Sequence, residues 1–430
     1  MEFKIADKLD VYRQLSDGSS ISVGVLAQSK RGVFFQYHAE YLSAYGNLSP
    51  FSLKADLSVQ AAPKTPHYGL HGVFADALPD GWGLLLQDRI FRQHGILPTN
   101  LTAMDRLAFV GATAGGALSF LPKSEFAEIP IEPIRLNELG TNAQDVFDGQ
   151  TEEVLSVLVA AGSSGGARPK AQVFINKGNF TECRTVPCKG DDGWIVKFTS
   201  SHLSLGHEEG LCEAVYLALA ERLSLSPPEW ELLDAPKHSG ADKWLALKRF
   251  DVTRTSEGTL GRLHMHSACG LLDADFRSPS LDYDDLIRAT RVLCKSPAAG
   301  QLQFKRALFN LLFLNQDDHS KNWAFLQDDG GGWQPAPFYD ITFSPHPFGE
   351  QATSFAGFGK NPPKRAIQTL AKSAGYAKWQ DVQSTIEEML DEVSSFEQMA
   401  KNIGVSGSTI KMIAKQLEAS RRQLTPMLQH

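Results

Sequence analysis

The segment NQDDHSKNW (315–323) sets two carboxylates, an imidazole, an ammonium and a carboxamide directly behind the apolar run FNLLFL (309–314). Asp317 and Asn322 stand five positions apart, and Asp340 follows eighteen positions after Asn322 in PFYDITFSP. An Asp-x-x-x-x-Asn spacing suits phosphoryl transfer, in which the Asp orients and deprotonates an attacking hydroxyl and the Asn holds magnesium. Hard oxygen ligands match that ion, and two side chains leave its other positions to water and phosphate. Asp317 is therefore the candidate catalytic base, and Asn322 and Asp340 are the candidate metal ligands. Lys321 stands where it could neutralise a transferring phosphoryl group. Asp317, Asp318 and His319 could alternatively ligate the metal of a hydrolase, but His319 lacks a second His at helical spacing.

Upstream lies the stretch SSGGARPK (163–170), between a predicted helix and a predicted strand. Small residues such as Gly165, Gly166 and Ala167 let backbone N–H groups approach a phosphate, and Arg168 or Lys170 supplies counter-charge. The spacing is not that of a Walker A loop, and taken alone the stretch also fits a flexible turn. Lys197 sits in the apolar strand WIVKF, on the face opposite Val196 and Phe198. It could hold nucleotide phosphates while paired with Glu213 of the next helix, EGLCEAVYLALAERL; singly, each also fits a solvated surface. A strand ending in LKRFD (247–251) follows. Glycine loop, strand Lys, helix Glu, LKRFD, Asp317 with Asn322, then Asp340 is the chain order of a protein-kinase-like fold.

The elements that must carry these residues fall into a β-rich front and a helical back, an α+β pattern. The first 60 residues read as short strands (LDVYRQL, SISVGVLAQ, GVFFQYHAEYL) between turn formers. LPDGWG (78–83) reads as a turn, followed by an amphipathic helix stopped at Gly95. Residues 123–150, acidic and Pro-bearing, read as a linker. Beyond about residue 280 nearly every segment has helical periodicity. The expected units are a β-rich accessory region at 1–125, a lobe at 126–251 with the glycine-rich loop, and an all-helical lobe at 252–430.

The chain has 430 residues, a net charge of −7 and 42% hydrophobic residues, an ordinary globular composition. That balance argues against nucleic-acid binding through bulk charge. Five scattered cysteines without CxxC spacing suit free thiols in a reducing cytoplasm. The N-terminal residues do not read as a signal peptide, and no apolar run is long enough to span a membrane.

Taken together, SSGGARPKA, WIVKF, CEAVYLALAERL, LKRFD, GRLHMHS, NQDDHSKN and FYD resemble the HipA-type serine/threonine kinases, toxins of bacterial toxin–antitoxin modules. SVGVLAQ and GVFADALPDGWG resemble the accessory N-terminal region of that family, so the likeness covers nearly the whole chain. The resemblance implies a bilobal kinase-like fold using ATP and Mg2+, with Asp317 as base and Asn322 and Asp340 on magnesium. It implies that Lys197 holds the ATP phosphates under a loop containing Gly165, Gly166, Ala167, Arg168 and Lys170, with Glu213 supporting Lys197. Backbone groups at Lys248 and Phe250 would contact adenine, and His319, Lys321 and Tyr339 would line the nucleotide site. By spacing to Lys170, Ser163 matches the serine that family members autophosphorylate, with Ser164 adjacent. The resemblance implies that this phosphate ejects the loop and shuts the enzyme down, in keeping with the roughly two negative charges it adds beside those of the nucleotide. The resemblance further implies a helix-turn-helix antitoxin that brings operator DNA, and an aminoacyl-tRNA synthetase as protein target. Two other readings share parts of the pattern: a small-molecule kinase of the aminoglycoside-phosphotransferase kind, and a non-catalytic corepressor.

Overall fold

The structure is a computed structural model that describes residues 5–127, 130–154, 156–161 and 165–428. In the front region, alternation between apolar and polar residues sets the strands: Lys8–Gln14 buries every second side chain. It lies fourth in an antiparallel five-stranded sheet ordered Gln60–Ala61, Gly32–Tyr37, Ser20–Ser29, Lys8–Gln14, Leu118–Leu121. Helix Ala103–Val110 opens with a reciprocal capping box between Thr102 and Asp105, and helps to cover the sheet.

A second antiparallel sheet has the order Trp230–Asp234, Lys243–Lys248, Asp191–Lys197, Lys170–Asn176. One face buries Val173, Trp194, Val196, Phe198 and Trp244 against helix Leu136–Phe147. Residues 123–150, expected as a linker, thus contribute a core helix whose Leu136, Leu139, Ala143 and Val146 repeat at helical spacing. Trp82 and Leu86 of helix Gly81–Gln93 join that core, so this helix from the accessory region is built into the second sheet's own packing.

Helix Glu209–Arg222 covers the other face, buried almost all round. Its apolar residues share one core with Leu245 and Leu247 of the sheet and with Phe304, Phe309, Phe313 and Phe396 of the back lobe. Each such side chain taken from water contributes roughly 1.5–3 kcal/mol. Helices Tyr283–Cys294, Pro297–Leu312, Lys364–Ala374, Trp379–Val393, Phe396–Ile403 and Gly407–Leu424 form the back lobe. That lobe is not wholly helical. A three-stranded sheet of His264–Ser267, Ala324–Gln327 and Trp333–Pro335 lies in it, where short alternating segments such as HMHS and AFLQ pair across long sequence distances.

The front sheet is tied to this back-lobe sheet through buried polar contacts. Arg13, fully buried, donates to the carbonyl of Asp328 at 2.9 Å and to Gln327 Oε1 at 3.0 Å. Asp76 accepts from the Ser267 backbone N–H at 2.7 Å and contacts His266 Nδ1 at 2.6 Å.

Candidate active site

Lys197 is the last residue of its strand, and the pleat turns it away from Val196 and Phe198 toward helix Glu209–Arg222. There Nζ lies 2.6 Å from Glu213 Oε1 and also contacts Asp340 Oδ1. All three groups lie inside the cleft, with Lys197 and Glu213 almost inaccessible to solvent. Burial acts against the Lys197 ammonium, but Asp340 and Glu213 more than offset it and hold its pKa above the ordinary value. Burial likewise raises Asp340, yet Lys197, Lys170 and Arg168 pull its carboxyl far below the usual range. Asp340 is therefore an anion at any physiological pH, on a backbone with φ of +52° that non-glycine residues seldom adopt.

The glycine-rich stretch leans over the same cleft. Arg168 reaches Glu209 Oε2 at 3.1 Å and Glu213 Oε2 at 3.9 Å, and its charge also senses Asp340 and Asp317. Lys170 opens strand Lys170–Asn176 and donates to the Gly165 carbonyl at 2.6 Å; burial lowers its pKa. Glu209, the first residue of helix Glu209–Arg222, is buried and its pKa is raised by that burial, with Arg168 opposing the shift. Ser163 and Ser164 lie outside the described residues.

Helix Pro297–Leu312 delivers the other half of the site. Leu314, at φ +55°, turns the chain out of the apolar core and into residues 315–323. Asn315 is fixed by its bond to Asn310 Oδ1 at 2.8 Å and by Ser344 Oγ at 3.0 Å. Asn322 Nδ2 donates to the Asp317 carbonyl at 2.7 Å, which locks the separation of the two residues. The Asp317 side chain itself is 69% exposed, with His319 Nε2 3.7 Å away. Asp318 points the opposite way, into the lobe. His319 packs at a tilt against Phe276, with ring centres 5.9 Å apart. Tyr339 donates to the Lys321 carbonyl at 2.8 Å and packs on Phe250, centres 5.5 Å apart. Lys248 closes its strand, its N–H bonded to the Glu229 carbonyl and its ammonium 2.8 Å from Glu229 Oε2.

Thus Arg168, Lys170, Lys197, Glu213 and Asp340 are brought into direct contact or mutual electrostatic range, and Asn322 is joined to Asp317. Lys321 is engaged elsewhere: its ammonium lies 2.6 Å from Asp80 Oδ2, and 4.3 Å from the centre of the Phe276 ring. Asp80 and Glu209 are the charged residues of this neighbourhood that the sequence did not single out. The donor set suits magnesium: Asp340 offers a hard anionic oxygen, and Asn322 engages its Nδ2 while Oδ1 makes no hydrogen bond among the described residues. Among the described residues no group of three or more His, Cys, Asp or Glu side chains is gathered as a metal cage. Two protein ligands completed by phosphate and water fit such a site.

Residues 18–121 match the HipA N-terminal domain and residues 162–402 match the HipA-like C-terminal domain. The chain belongs to the HipA family. Similar to this HipA-family chain is the serine/threonine-protein kinase toxin HipA of Shewanella oneidensis, 27% identical over 290 residues, which are 61% of this chain and 60% of that protein. The matched part is thus less than two thirds of that relative. The putative kinase Y4mE of Sinorhizobium fredii is 26% identical over 340 residues, 74% of each. Among solved structures, a chain of the Shewanella oneidensis MR-1 HipA, HipB and operator DNA complex aligns with a TM-score of 0.67 at 18% identity. That alignment covers 96% of this chain and 97% of the other. The α+β, kinase-like two-lobed fold is therefore the HipA fold. No helix among the described residues is long and apolar enough to cross a membrane.

Proposed function

We propose that the chain is an ATP- and magnesium-dependent serine/threonine protein kinase of the HipA toxin type. The observation that carries this reading is the contact of Lys197 with both Glu213 and Asp340 in the cleft over which the glycine-rich stretch leans. Lys197 and the glycine-rich loop bind the nucleotide phosphates, while Glu213 keeps Lys197 aimed. Asp317, exposed at the cleft, takes the proton of the attacking hydroxyl. Asn322 and Asp340 would hold magnesium, which when bound neutralises charge on the phosphates. Lys248, Phe250, His319 and Tyr339 line the nucleotide site, with the strand end after Lys248 meeting the adenine.

The substrate is a protein hydroxyl, and an aminoacyl-tRNA synthetase is the target that the family resemblance favours. Autophosphorylation falls on Ser163 or Ser164, where added charge beside the nucleotide would drive the loop out. An antitoxin with a helix-turn-helix binds the chain and brings it to operator DNA, and the assembly works in the cytoplasm. The Shewanella complex, which joins HipA, HipB and operator DNA, supports that partnership.

Purified chain incubated with γ-labelled ATP, magnesium and total cell protein tests the reading. Label on a protein band and on the chain itself, both lost in Asp317→Asn, is the expected result. Label appearing only on a metabolite would transfer the assignment to a small-molecule kinase, and nucleotide binding without turnover would leave a corepressor.

A further inference from the structure

Asp80 precedes helix Gly81–Gln93 at the position where an Asp ordinarily accepts hydrogen bonds from the helix's own first turn. Its carboxylate does not cap that helix. Oδ1 accepts from the Gly166 N–H of the glycine-rich loop, and Oδ2 lies 2.6 Å from Lys321 Nζ of the catalytic loop. One carboxylate thus joins two loops 155 residues apart (321 − 166). The two residues after Asp80 hold the same stretch from the other side. Trp82 donates its N–H to the Gly166 carbonyl at 2.9 Å and its Nε1–H to the Lys170 carbonyl at 2.8 Å. Gly81, at φ +41°, lets the two backbones meet: a Cβ there would lie 2.6 Å from the Gly166 oxygen. Trp82 is itself buried in the core of the second sheet, so the strap rests on a rigid element.

We propose that Asp80 is a positioning residue, latching the glycine-rich loop to Lys321 so that the loop stands at a fixed height over the phosphate site. The role in nucleotide binding rests on the kinase reading; the latch itself does not. The accessory region thereby becomes part of the nucleotide site's framework. Burial opposes the Asp80 carboxylate, but Lys321 and the Gly166 N–H outweigh it and keep it anionic, as a latch to an ammonium requires. An oriented loop binds phosphate without first being ordered, so releasing it weakens nucleotide binding more than the chemical step.

The test measures backbone hydrogen exchange across residues 165–170 in the nucleotide-free full chain, and binding of a magnesium complex of a non-hydrolysable ATP analogue. Asp80→Ala removes both contacts; Asp80→Asn keeps an oxygen for Gly166 and drops the charge facing Lys321. Exchange is expected to rise on the order of tenfold in Asp80→Ala and by less in Asp80→Asn, with strand Asp191–Lys197 unchanged. Analogue affinity is expected to fall by about tenfold, as KM for ATP rises and kcat at saturation changes less. Asp80→Glu, which retains the charge, should recover part of both effects. Unaltered exchange at 165–170 in Asp80→Ala would overturn the latch, and tighter analogue binding would overturn the positioning role by showing that Asp80 competes with phosphate. Wild-type chain that binds no analogue would remove the kinase reading while the exchange measurement still decides the latch.

Discussion

The Tyr283 hydroxyl donates to Asp318 Oδ2 at 2.5 Å beneath the loop of residues 315–323, in a part of the back lobe closed to solvent. Asp318 Oδ1 accepts from the Ala352 and Thr353 backbone N–H groups at 2.7 and 3.3 Å, and the Asp318 carbonyl accepts from Thr353 Oγ1 at 2.6 Å. This residue therefore nails the loop to the segment that follows Asp340. Asp318→Ala leaves the Tyr283 O–H, which still accepts from Asn310 at 3.0 Å, and the Ala352 and Thr353 N–H groups without their acceptor, a loss of about 3 kcal/mol. Urea unfolding followed by fluorescence would read it.

The same carboxyl predicts a pH dependence. Burial outweighs the hydrogen bonds from Tyr283, Thr353 and Ala352 and pushes the Asp318 pKa up to about 7. The folded state then holds a proton that the unfolded chain has released above about 4. Its contribution to stability is complete below that pH and is lost as pH rises through about 7, at up to about 1.4 kcal/mol per pH unit. Between pH 5 and 8 wild type should lose more stability than Asp318→Asn, whose amide does not titrate in this range. Parallel urea midpoints for the two proteins across that range would contradict the assignment.

Asp317 gives the opposite expectation. Its carboxylate is largely exposed, with His319 Nε2 3.7 Å away. Asp317→Asn should leave stability within about 0.5 kcal/mol of wild type. Phosphate transfer should fall by roughly 10²–10⁴-fold, the usual weight of a general base. Adjacent aspartates with separable effects, one on chemistry and one on folding, are measured by pairing a thermal melt with a labelled-ATP assay.

Lys197 stands between buried Glu213 and partly exposed Asp340, so Lys197→Met removes the cation in direct contact with both and leaves only the weaker pull of Arg168 and Lys170. The expected loss of stability is about 3 kcal/mol, together with loss of phosphate transfer. Adding Glu213→Gln removes one of the stranded charges and should restore at least about 1 kcal/mol, while activity stays absent. A double variant no more stable than Lys197→Met would show that Glu213 does not depend on Lys197 in the fold.

How far the site can be read from sequence depends on distance along the chain. Lys197 and Glu213 are sixteen residues apart on a strand and the next helix, so alternation and order alone place them face to face. Asp317 and Asn322 share one loop, where spacing is geometry. Asp80 and Lys321 are 241 residues apart, and LPDGWG reads only as a turn because turn residues report backbone shape, not what a carboxylate meets. Lys321 looks free for phosphate for the same reason. Glu209 begins a helix, where an acidic residue is expected for the dipole; its burial against Arg168 is a tertiary fact. The helix Leu136–Phe147 is hidden by its Pro-bearing lead-in, although its apolar residues have the 3.6-residue period.

Magnesium dependence follows from the way Asn322 is held. Its Nδ2 is committed to the Asp317 carbonyl, which fixes the amide plane, so that in the proposed kinase Oδ1 is the oxygen that would meet the ion. Asn322→Ala removes that oxygen and also frees the loop between base and ligand. The half-saturating magnesium concentration should rise by about tenfold or more, the effect usual when a ligand or its support is lost. Chelation should abolish phosphate transfer yet leave the melting temperature of nucleotide-free chain unchanged, because apolar cores hold the lobes and no metal cage is gathered among the described residues. A melting temperature that falls on chelation would mean that an ion is part of the folded framework. It would also shift the role of Asp340 from holding a metal that arrives with ATP to holding a resident one.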